Sequence, residues 1–362
     1  MTSNGSVIER RKLLVASESF SLERGGVARV GRLLARVAAG MGLDANLLAL
    51  SDPDPTEDFG LPERTATSSR ARFVFQCWTG AFTRSHFMYN HVGMARAHCA
   101  LPMLRRPYAV WMHGMDVWGS RMHGDYGRRV EEADLLLSNS NFTRGRAAEF
   151  LPSAQRARVC WLSTEEDDVP EALNDFSGPP TVLILSRVDA SEMRKGHLEL
   201  IDCWPGVMAA IPDARLLIAG GGDGLGILRA RARESAAASN IEFTGFIPQS
   251  QIEALWSRAH VFAMPSRQEG FGLVYIEAMR RGLPVIASIH DAGQEINLHG
   301  VTSYNADLDR EGDLARHTVE LLSNRARARQ FGENGRELWR ANFCFAAFRR
   351  RMEPILTEFL GV

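Results

Sequence analysis

Two glutamates eight positions apart, Glu269 and Glu277, are the residues of this sequence with the clearest chemical potential. They lie in Met264–Ala287, where MPSRQEGFGLVYIEAMRRGLPVIA predicts a strand, a loop, a helix and a second strand. Such a loop presents free backbone N–H groups at the positive end of a helix, which suits a phosphate or sugar hydroxyls. Both acids could face a ligand at the carboxyl ends of the strands. Alone, the pair also fits a solvated Glu277 and an ordinary glycine turn.

Strand-like and helix-like stretches alternate along the whole chain, which is typical of a doubly wound α/β protein. A polar, Gly/Pro-rich break predicts a boundary at 175/176, between two α/β halves with a cleft between them. Strands are expected at Lys12–Ala16, Phe73–Gln76, Tyr108–Met112, Leu135–Ser138, Thr181–Leu185, Arg215–Ala219, Ile241–Thr244, Val261–Met264 and Pro284–Ala287. Helices are expected at Val27–Ala39, Asn139–Phe150, His197–Ala210, Gly226–Ala237, Gln249–Arg258, Gly272–Arg281, Asp313–Phe331 and Phe345–Leu360.

The bulk composition is that of a globular protein and excludes several classes. A length of 362 residues suits two domains, and a formal charge of −1 gives no overall attraction to nucleic acid. The five cysteines have no CxxC spacing, which favours neither a zinc site nor a disulfide framework. We see no apolar signal region at the amino terminus and no run of about 18 apolar residues. We therefore expect a cytoplasmic protein.

A glycine run after a predicted strand, Ala219–Gly224, raises the question of a dinucleotide site. Its letters AGGGDG fail the G-x-G-x-x-G spacing, because Leu225 stands where a third glycine is needed after Gly220 and Gly222. The sequence has no P-loop either. The dinucleotide interpretation is therefore rejected.

Several blocks of the carboxyl-terminal half together resemble one enzyme family. EGFGLVYIEAMRRGLPVIAS resembles the E-x7-E signature of the family-4 retaining glycosyltransferases, and SRVDASEMRKGHLELI resembles their Arg…Lys-Gly segment. ARLLIAGGGDG and NIEFTGFIPQSQIEALWSRAHVFAMPS follow in the family's order and spacing. The resemblance implies the GT-B fold, in which two Rossmann-like domains face a cleft and the C-terminal helix crosses back. We expect an acceptor domain at 1–175, a donor domain at 176–345 and the crossover helix at 346–362.

The resemblance also implies roles for individual residues. Arg187 and Lys195 would hold the donor's pyrophosphate and stabilise the charge on the departing nucleotide, although both also fit ordinary surface cations. Glu269 would contact the transferred sugar, and Glu277 the ribose. The implied donor-binding set is Gly25, Gly26, Arg187, Lys195, Gly222, Phe246, Glu269, Gly270, Phe271, Gly272, Leu273 and Glu277. The implied catalytic set is His113, Arg187, Lys195 and Glu269.

The amino-terminal half resembles the family at two places. The letters ERGGV at 23–27 resemble its first Gly-Gly loop, and a plain strand-to-helix turn is the alternative. YAVWMHGMDVW, at Tyr108–Trp118, resembles the strand that ends in a His-Gly pair, which implies that His113 lies near the anomeric carbon. A lone histidine at a strand end is more often structural. Asp116 could orient His113 or bind the acceptor.

Two segments depart from the family pattern. After Val159 the chain has WLSTEEDDVPE where an Asn-Gly-Val-Asp turn is usual. After Glu277 the usual Gly-Gly-x-x-Glu becomes HDAGQE, at His290–Glu295. The second departure concerns the loop nearest the donor sugar, so the identity of the donor stays open.

The resemblance implies retaining transfer of a hexose-type sugar from a UDP- or GDP-linked donor, without a metal or cofactor. The acceptor would be a glycan, a lipid-linked sugar or a small molecule, in polysaccharide or glycoconjugate biosynthesis. The alternatives are a nucleotide-sugar epimerase of the same shape and a non-catalytic subunit that binds nucleotide sugars. The sequence also offers a basic edge for peripheral docking at the inner face of a membrane, formed by Arg29, Arg32, Arg36, Arg105 and Arg106. Salt-bridged or solvated arginines are its alternative.

Overall fold

Two parallel β-sheets, one of seven strands and one of six, organise the chain. The structure, a computed structural model, describes residues 11–22, 24–52, 58–170 and 176–362. These residues form two units. Unit 1 contains the described chain up to Asn139 together with Thr143–Cys160 and Phe348–Val362. Unit 2 contains Ser140–Phe142 and the described residues from Trp161 to Ala347.

The sheet of unit 1 has the strand order β3-β2-β1-β4-β5-β6-β7. Its strands are β1 (Lys12–Ser17), β2 (Asp44–Ala49), β3 (Glu63–Thr65), β4 (His86–Tyr89), β5 (Tyr108–Met112), β6 (Leu135–Ser138) and β7 (Arg158–Val159). Every residue of β4 and β5 is buried, as is all of β1 except its first residue. Such continuous apolar strands are expected where helices cover both faces of a parallel sheet. The helices of this half of the chain are α1 (Gly26–Gly40), α2 (Arg70–Gly80), α3 (Val92–Ala95), α4 (Asp125–Glu131) and α5 (Asn141–Ala148).

The sheet of unit 2 has the order β10-β9-β8-β11-β12-β13. Its strands are β8 (Thr181–Leu185), β9 (Arg215–Ala219), β10 (Ile241–Gly245), β11 (Val261–Ala263), β12 (Val285–Ser288) and β13 (Ser303–Ala306). The remaining helices are α6 (His197–Ala210), α7 (Leu225–Glu234), α8 (Ile252–Trp256), α9 (Leu273–Arg280), α10 (Gly293–Ile296), α11 (Asp313–Ser323), α12 (Arg325–Asn342) and α13 (Phe345–Leu360). The doubly wound α/β architecture expected from the sequence is confirmed.

Helix α13 belongs to unit 1 from Phe348 onward. The ring of Phe348 stacks on Trp111 of β5 with centroids 6.1 Å apart, and Phe359 meets His86 edge to face at 5.1 Å. An ion pair of 2.6 Å joins Glu358 to Arg158 of β7. The helix therefore packs on the amino-terminal sheet. Among the described residues, no helix combines the length and the apolar character needed to cross a bilayer.

The predicted strand at Phe73–Gln76 is wrong, because this segment lies inside α2. The hydroxyl of Ser69 accepts a hydrogen bond from the amide of Arg72 and so caps the helix. Phe73 and Cys77, four positions apart, are its buried residues, which is the spacing of one helical face. The short run FVFQ, rich in aromatic and β-branched letters, predicts a strand, but the cap and the four-residue spacing determine a helix.

Two other predicted boundaries differ from the structure. The helix expected at Asp313–Phe331 is two helices, because Asn324 leaves helical geometry and caps α12 through the amide of Arg327. Residues 161–170, expected in the first domain, belong to unit 2. There the amide of Thr164 donates to the carbonyl oxygen of Phe343 at 2.9 Å. Residues 171–175, which adjoin the predicted boundary, lie outside the described residues.

Each sheet reverses its strand order at one point, and ligands of open α/β sheets bind there, beyond the carboxyl ends of the strands. In unit 1 the reversal lies between β1 and β4. In unit 2 it lies between β8 and β11. These strand ends carry most of the residues that the sequence singled out.

Candidate functional site

Lys195 and Glu269 meet at the reversal point of unit 2. Lys195 lies in the connection from β8 to α6, and Glu269 in the connection from β11 to α9. The Lys195 Nζ atom is 3.5 Å from the Glu269 Oε2 atom, and both side chains are only partly exposed. Gly196 allows this approach, because a Cβ atom at this position would lie 2.5 Å from the carbonyl oxygen of Pro265. The close approach of the backbone at Gly196 therefore keeps Lys195 near the loop that contains Glu269.

The loop that follows Glu269 leads directly into helix α9. Gly272 has φ +89°, a conformation that favours glycine, and a Cβ atom there would collide with the ring of Tyr275. Among the described residues, the amides of Phe271, Gly272 and Leu273 donate to no protein acceptor. These N–H groups at a positive helix end can bind anionic or hydroxyl oxygens. Glu277 lies partly buried in the same helix.

Asp291 supports the Glu269 loop from beneath, a role that the sequence did not suggest. Its side chain is fully buried, and its carboxylate accepts from the amides of Glu269 and Gly293, each at 2.9 Å. In return the amide of Ala292 donates to the carbonyl oxygen of Glu269. Asp291 is part of HDAGQE, the segment that departs from the family pattern. This segment therefore supplies the buried carboxylate that binds the amide of Glu269, the residue expected to contact the sugar.

Burial raises the pKa of Asp291 to about 7; the two amide donors oppose this shift, and the charge of Glu269 adds to it. In an unfolded chain the pKa of an aspartate is about 4. Between these values the folded protein therefore holds a proton that the unfolded chain has released. It follows that the stability contributed by Asp291 falls as the pH rises from about 4 to about 7.

We expect Asp291→Asn to remove this titration. The free energy of unfolding of the wild type, minus that of the variant, should decrease by on the order of 2 kcal/mol between pH 5 and pH 8. Denaturant unfolding of both proteins at the two pH values measures this difference. A difference that does not change with pH would mean that Asp291 titrates near its ordinary value.

Arg187 has ion-pair partners other than Glu269. Its side chain is 69% exposed, and its guanidinium lies 3.6 Å from a carboxylate oxygen of both Asp189 and Glu192. Both acids lie between Arg187 and Lys195 in the sequence. A ligand phosphate would have to compete with them for Arg187.

The glycine run after β9 fixes the backbone around Arg187. A Cβ atom at Gly220 would lie 1.8 Å from the carbonyl oxygen of Ser186, and one at Gly222 would lie 1.8 Å from that of Val188. The amide of Val188 donates to the carbonyl oxygen of Gly221 at 3.0 Å. Gly222, expected in the donor site, thus contacts the protein's own backbone, while Phe246 after β10 is 78% exposed.

In unit 1, His113 follows β5 and is held by three groups. Its amide donates to the carboxylate of buried Asp116 at 3.0 Å, and its carbonyl oxygen accepts from Asn139 at 2.8 Å. Its Nε2 atom is 2.6 Å from the carbonyl oxygen of Asn90, and because a carbonyl oxygen only accepts, Nε2 must carry the proton. Burial lowers the pKa of His113, so a neutral ring with Nδ1 as acceptor is favoured.

Asn90, which the sequence did not single out, joins His113 to the Gly25–Gly26 loop. Its side-chain amide donates to the carbonyl oxygen of Val27 at 2.6 Å, at the start of α1. Gly25 caps this helix without a side-chain hydrogen bond, and no heavy atom lies within 4 Å of where its Cβ would stand. Glu23 of the same motif lies outside the described residues. The structure thus brings Gly25, Gly26 and His113 together in unit 1.

Two further groups bear on expected partners. His290, Asp307 and Asp309 have ligand atoms within 4.8 Å of one another, but His290 Nε2 already accepts from the amide of Leu308, and the group is partly exposed. The prediction of a basic edge on α1 is wrong at Arg32, because this side chain is buried and donates to the carbonyl oxygen of Ser21 at 2.6 Å.

Comparison with known proteins places this chain in a family. The family model "Glycosyl transferases group 1" matches residues 165–338. The chain is 30% identical over 267 residues to the GDP-mannose-dependent monoacylated alpha-(1-6)-phosphatidylinositol monomannoside mannosyltransferase of Corynebacterium glutamicum, covering 67% of this chain and 68% of the relative. It is 36% identical over 165 residues to the GDP-mannose-dependent alpha-(1-6)-phosphatidylinositol monomannoside mannosyltransferase of Mycobacterium tuberculosis, covering 44% of this chain and 42% of the relative. The match thus spans less than half of the mycobacterial protein.

Among solved structures, sucrose-phosphate synthase of Thermosynechococcus elongatus has a TM-score of 0.78 at 22% identity, covering 97% of this chain and 100% of that one. This likeness confirms the GT-B fold expected from the sequence. The family model, the corynebacterial relative and the fold agree. The chain belongs to the group 1 glycosyl transferases, the family-4 type that its sequence resembles.

Proposed function

We propose that this chain is a retaining glycosyltransferase that moves a hexose from a nucleotide-diphosphate sugar to a lipid-linked or glycan acceptor. The observation that carries the proposal is the contact between Lys195 and Glu269, 3.5 Å apart, beside the open amides at the start of α9. A cation, a carboxylate and free N–H groups lie together at the carboxyl ends of two adjacent strands. The cation and the N–H groups suit phosphates, and the carboxylate suits hydroxyls.

In the proposed reaction the bond between the anomeric carbon and the β-phosphate oxygen breaks, and its electron pair leaves with the nucleoside diphosphate. The acceptor oxygen forms the new bond on the same face of the sugar, and its proton passes to the departing phosphate. Lys195 and Arg187 stabilise the charge that develops on this phosphate, with no metal or cofactor required. Glu269 holds the sugar hydroxyls, and Glu277 binds the ribose.

Unit 1 contributes the acceptor side and His113 in this proposal. Because the Nε2 proton of His113 is committed to Asn90, only Nδ1 is available to accept a hydroxyl hydrogen of the transferred sugar. Gly25 and Gly26 start α1 and contribute N–H groups for donor phosphates. Phe246 contacts the nucleotide directly. Gly222 acts indirectly, because it allows the close approach of the backbone at Val188, next to Arg187.

GDP-mannose is the first donor to test, because the relatives from Corynebacterium and Mycobacterium are both named as GDP-mannose-dependent. Their names also state a phosphatidylinositol monomannoside acceptor, which favours a glycolipid acceptor for this chain. UDP-linked hexoses are the alternative donors, since the HDAGQE loop differs from the usual pattern.

The test is transfer by the purified protein with each donor, first with a mannoside acceptor and then without one. We expect acceptor-dependent release of the nucleoside diphosphate, an α-linked product by NMR, and unchanged rates in EDTA. Conversion of the donor sugar without an acceptor would indicate an epimerase. Binding of a donor without any turnover would indicate a non-catalytic subunit.

We also propose that unit 1 docks at the surface of an anionic membrane. Phe75 and Trp78 of α2, and Phe82 just after it, follow the spacing of one helical face and are 66%, 42% and 69% exposed. The stretch 64–115 around them has seven arginines and no acidic residue. Exposed aromatic rings in a basic surrounding suit the headgroup region of an anionic bilayer.

Replacement of Phe75, Trp78 and Phe82 by serine should reduce binding to phosphatidylglycerol vesicles about tenfold or more, because each ring buries apolar area in the interface. Vesicle sedimentation measures the binding, and neutral phosphatidylcholine vesicles give the contribution of charge. Ile227→Ser, which removes an exposed apolar side chain of unit 2, is the matched control and should bind as the wild type does. Equal binding by the triple variant would remove this surface from the proposal.

A further inference from the structure

The short segment Ser140–Phe142 belongs to unit 2, and its first residue contacts the loop that begins at Glu269. The hydroxyl of Ser140 donates to the carbonyl oxygen of Gly270 at 2.6 Å. Both residues are buried, and Gly270 directly follows Glu269 in the connection from β11 to α9. A side chain from a distant part of the sequence therefore holds the backbone of this loop.

Glu295 anchors the segment that contains Ser140. Its carboxylate accepts hydrogen bonds from the backbone amides of Asn141 and Phe142, at 3.0 and 3.1 Å. It also accepts from the side-chain amide of Asn141 and from the indole N–H of Trp161, each at 2.7 Å. Hydrogen bonds to an ionised carboxylate are about twice as strong as those between neutral groups. These four bonds therefore fix the position of Ser140, which directly precedes two of the donors.

The side chain of Phe271 is held by the same group of residues. It is buried, and its ring meets the ring of Phe343 edge to face, with centroids 6.1 Å apart. The centroid of Phe343 in turn lies 5.7 Å from that of Trp161, the residue whose indole donates to Glu295. The loop is thus fixed through its backbone at Gly270 and through the side chain of the next residue.

The bond from Ser140 determines the direction of one amide of the loop. The carbonyl group of Gly270 and the N–H group of Phe271 belong to one planar trans peptide unit, in which they point in opposite directions. Fixing the carbonyl oxygen therefore aims the N–H group. In the part of the chain that the structure describes, this N–H group donates to no acceptor. Buried amides without an acceptor are rare in native proteins, so the arrangement suits an oxygen supplied by a ligand.

We propose that Ser140 and Glu295 are positioning residues for the donor. Glu295 anchors the segment, and Ser140 aims the Phe271 amide at a phosphate oxygen of the nucleoside diphosphate. The inference rests on the proposed function, because it assigns residues to the donor site of that reaction. Both residues act through the loop and not by contact with the reacting atoms. Aim matters because a hydrogen bond weakens steeply when its angle falls below about 120°.

The matched pair Ser140→Ala and Ser163→Ala tests the proposal. Both changes remove the hydroxyl of a buried serine of unit 2, but the hydroxyl of Ser163 has no hydrogen-bond partner among the described residues. The probes are GDP and UDP, and calorimetry gives both the Kd and the number of binding sites. We expect Ser140→Ala to raise the Kd of the tighter-binding nucleotide about 10-fold, the lower end for a hydrogen bond to a charged group. The number of sites should not change, and Ser163→Ala should bind as the wild type does.

Glu295→Gln is the second variant, and it keeps the test decisive if Ser140→Ala does not fold. The glutamine retains one acceptor oxygen but turns an NH2 group toward the donors of the segment. The Kd should rise by a similar factor. In the double variant the Kd should rise by less than the product of the two single factors, because both residues act on the same peptide unit.

The number of binding sites separates positioning from a purely structural role. Fewer competent sites with an unchanged Kd would assign these residues to folding and overturn the inference. A wild-type Kd in the folded variants would also overturn it, while the proposed function would stand. If the wild type bound neither GDP nor UDP, the donor site of the proposed function would be rejected, and the inference with it.

Discussion

Glu269→Gln should lower kcat about 100- to 1000-fold while leaving the fold intact. The substitution keeps the size of the side chain and removes the charge that lies 3.5 Å from Lys195. Its backbone amide still donates to Asp291, so the loop keeps its support. The size of the loss is that of one precisely placed electrostatic group in an active site. Steady-state transfer rates measure the loss of kcat, and circular dichroism measures whether the fold is intact.

Glu234→Gln is the control, because Glu234 is an exposed glutamate of α7 in the same unit. It should retain the wild-type rate. Lys195→Ala should be similarly slow, and the double variant should lose less than the product of the two single losses, since residues in contact do not act independently. A rate for Glu269→Gln within about threefold of the wild type would remove Glu269 from the proposed mechanism.

The strands that the sequence predicted with the right bounds consist almost entirely of apolar residues. β5, β6, β8 and β9 have the predicted bounds, because a strand buried on both faces must be apolar throughout. The strands β3, β4 and β13, of three or four residues, were missed, as was the six-residue β2 (DANLLA), whose apolar letters Asp44 and Asn46 interrupt. A three- or four-residue strand that contains polar letters, such as HFMY of β4 or SYNA of β13, cannot be distinguished from a helix or a loop by its letters. Its position is determined by pairing with neighbours that are distant in sequence.

The candidate site, too, could be predicted from the sequence only in part. The neighbourhood of Lys195 and Glu269 follows from the order of motifs along the chain, since both come at the carboxyl ends of adjacent parallel strands. Asn90 and Asp291 could not be found in this way. Each is a buried polar residue whose partners lie on other segments, Val27 and His113 for Asn90 and Glu269 for Asp291. The available signals were a polar residue directly after β4, which is Asn90, and the HDAGQE departure, which contains Asp291.

Gly222→Ala should destabilise the protein by about 2–4 kcal/mol, which is the range for a strained backbone combined with a collision. The new Cβ would lie 1.8 Å from the carbonyl oxygen of Val188, in the connection that carries Arg187. Gly222 also has φ +149°, which L side chains rarely adopt. Denaturant unfolding measures the loss of stability, and thermal shift with GDP measures whether the displaced connection still supports nucleotide binding.

The control for this prediction lies four residues further along the chain. Gly226 is in α7, and no heavy atom lies within 4 Å of where its Cβ would stand. Gly226→Ala should therefore be neutral or stabilise the protein by up to about 1 kcal/mol, since alanine favours the helix. If both variants had the same stability, the backbone around Arg187 would have to shift to accommodate the added methyl group. In that case the contacts of the glycine run with Ser186 and Val188 could not be what holds Arg187 in place.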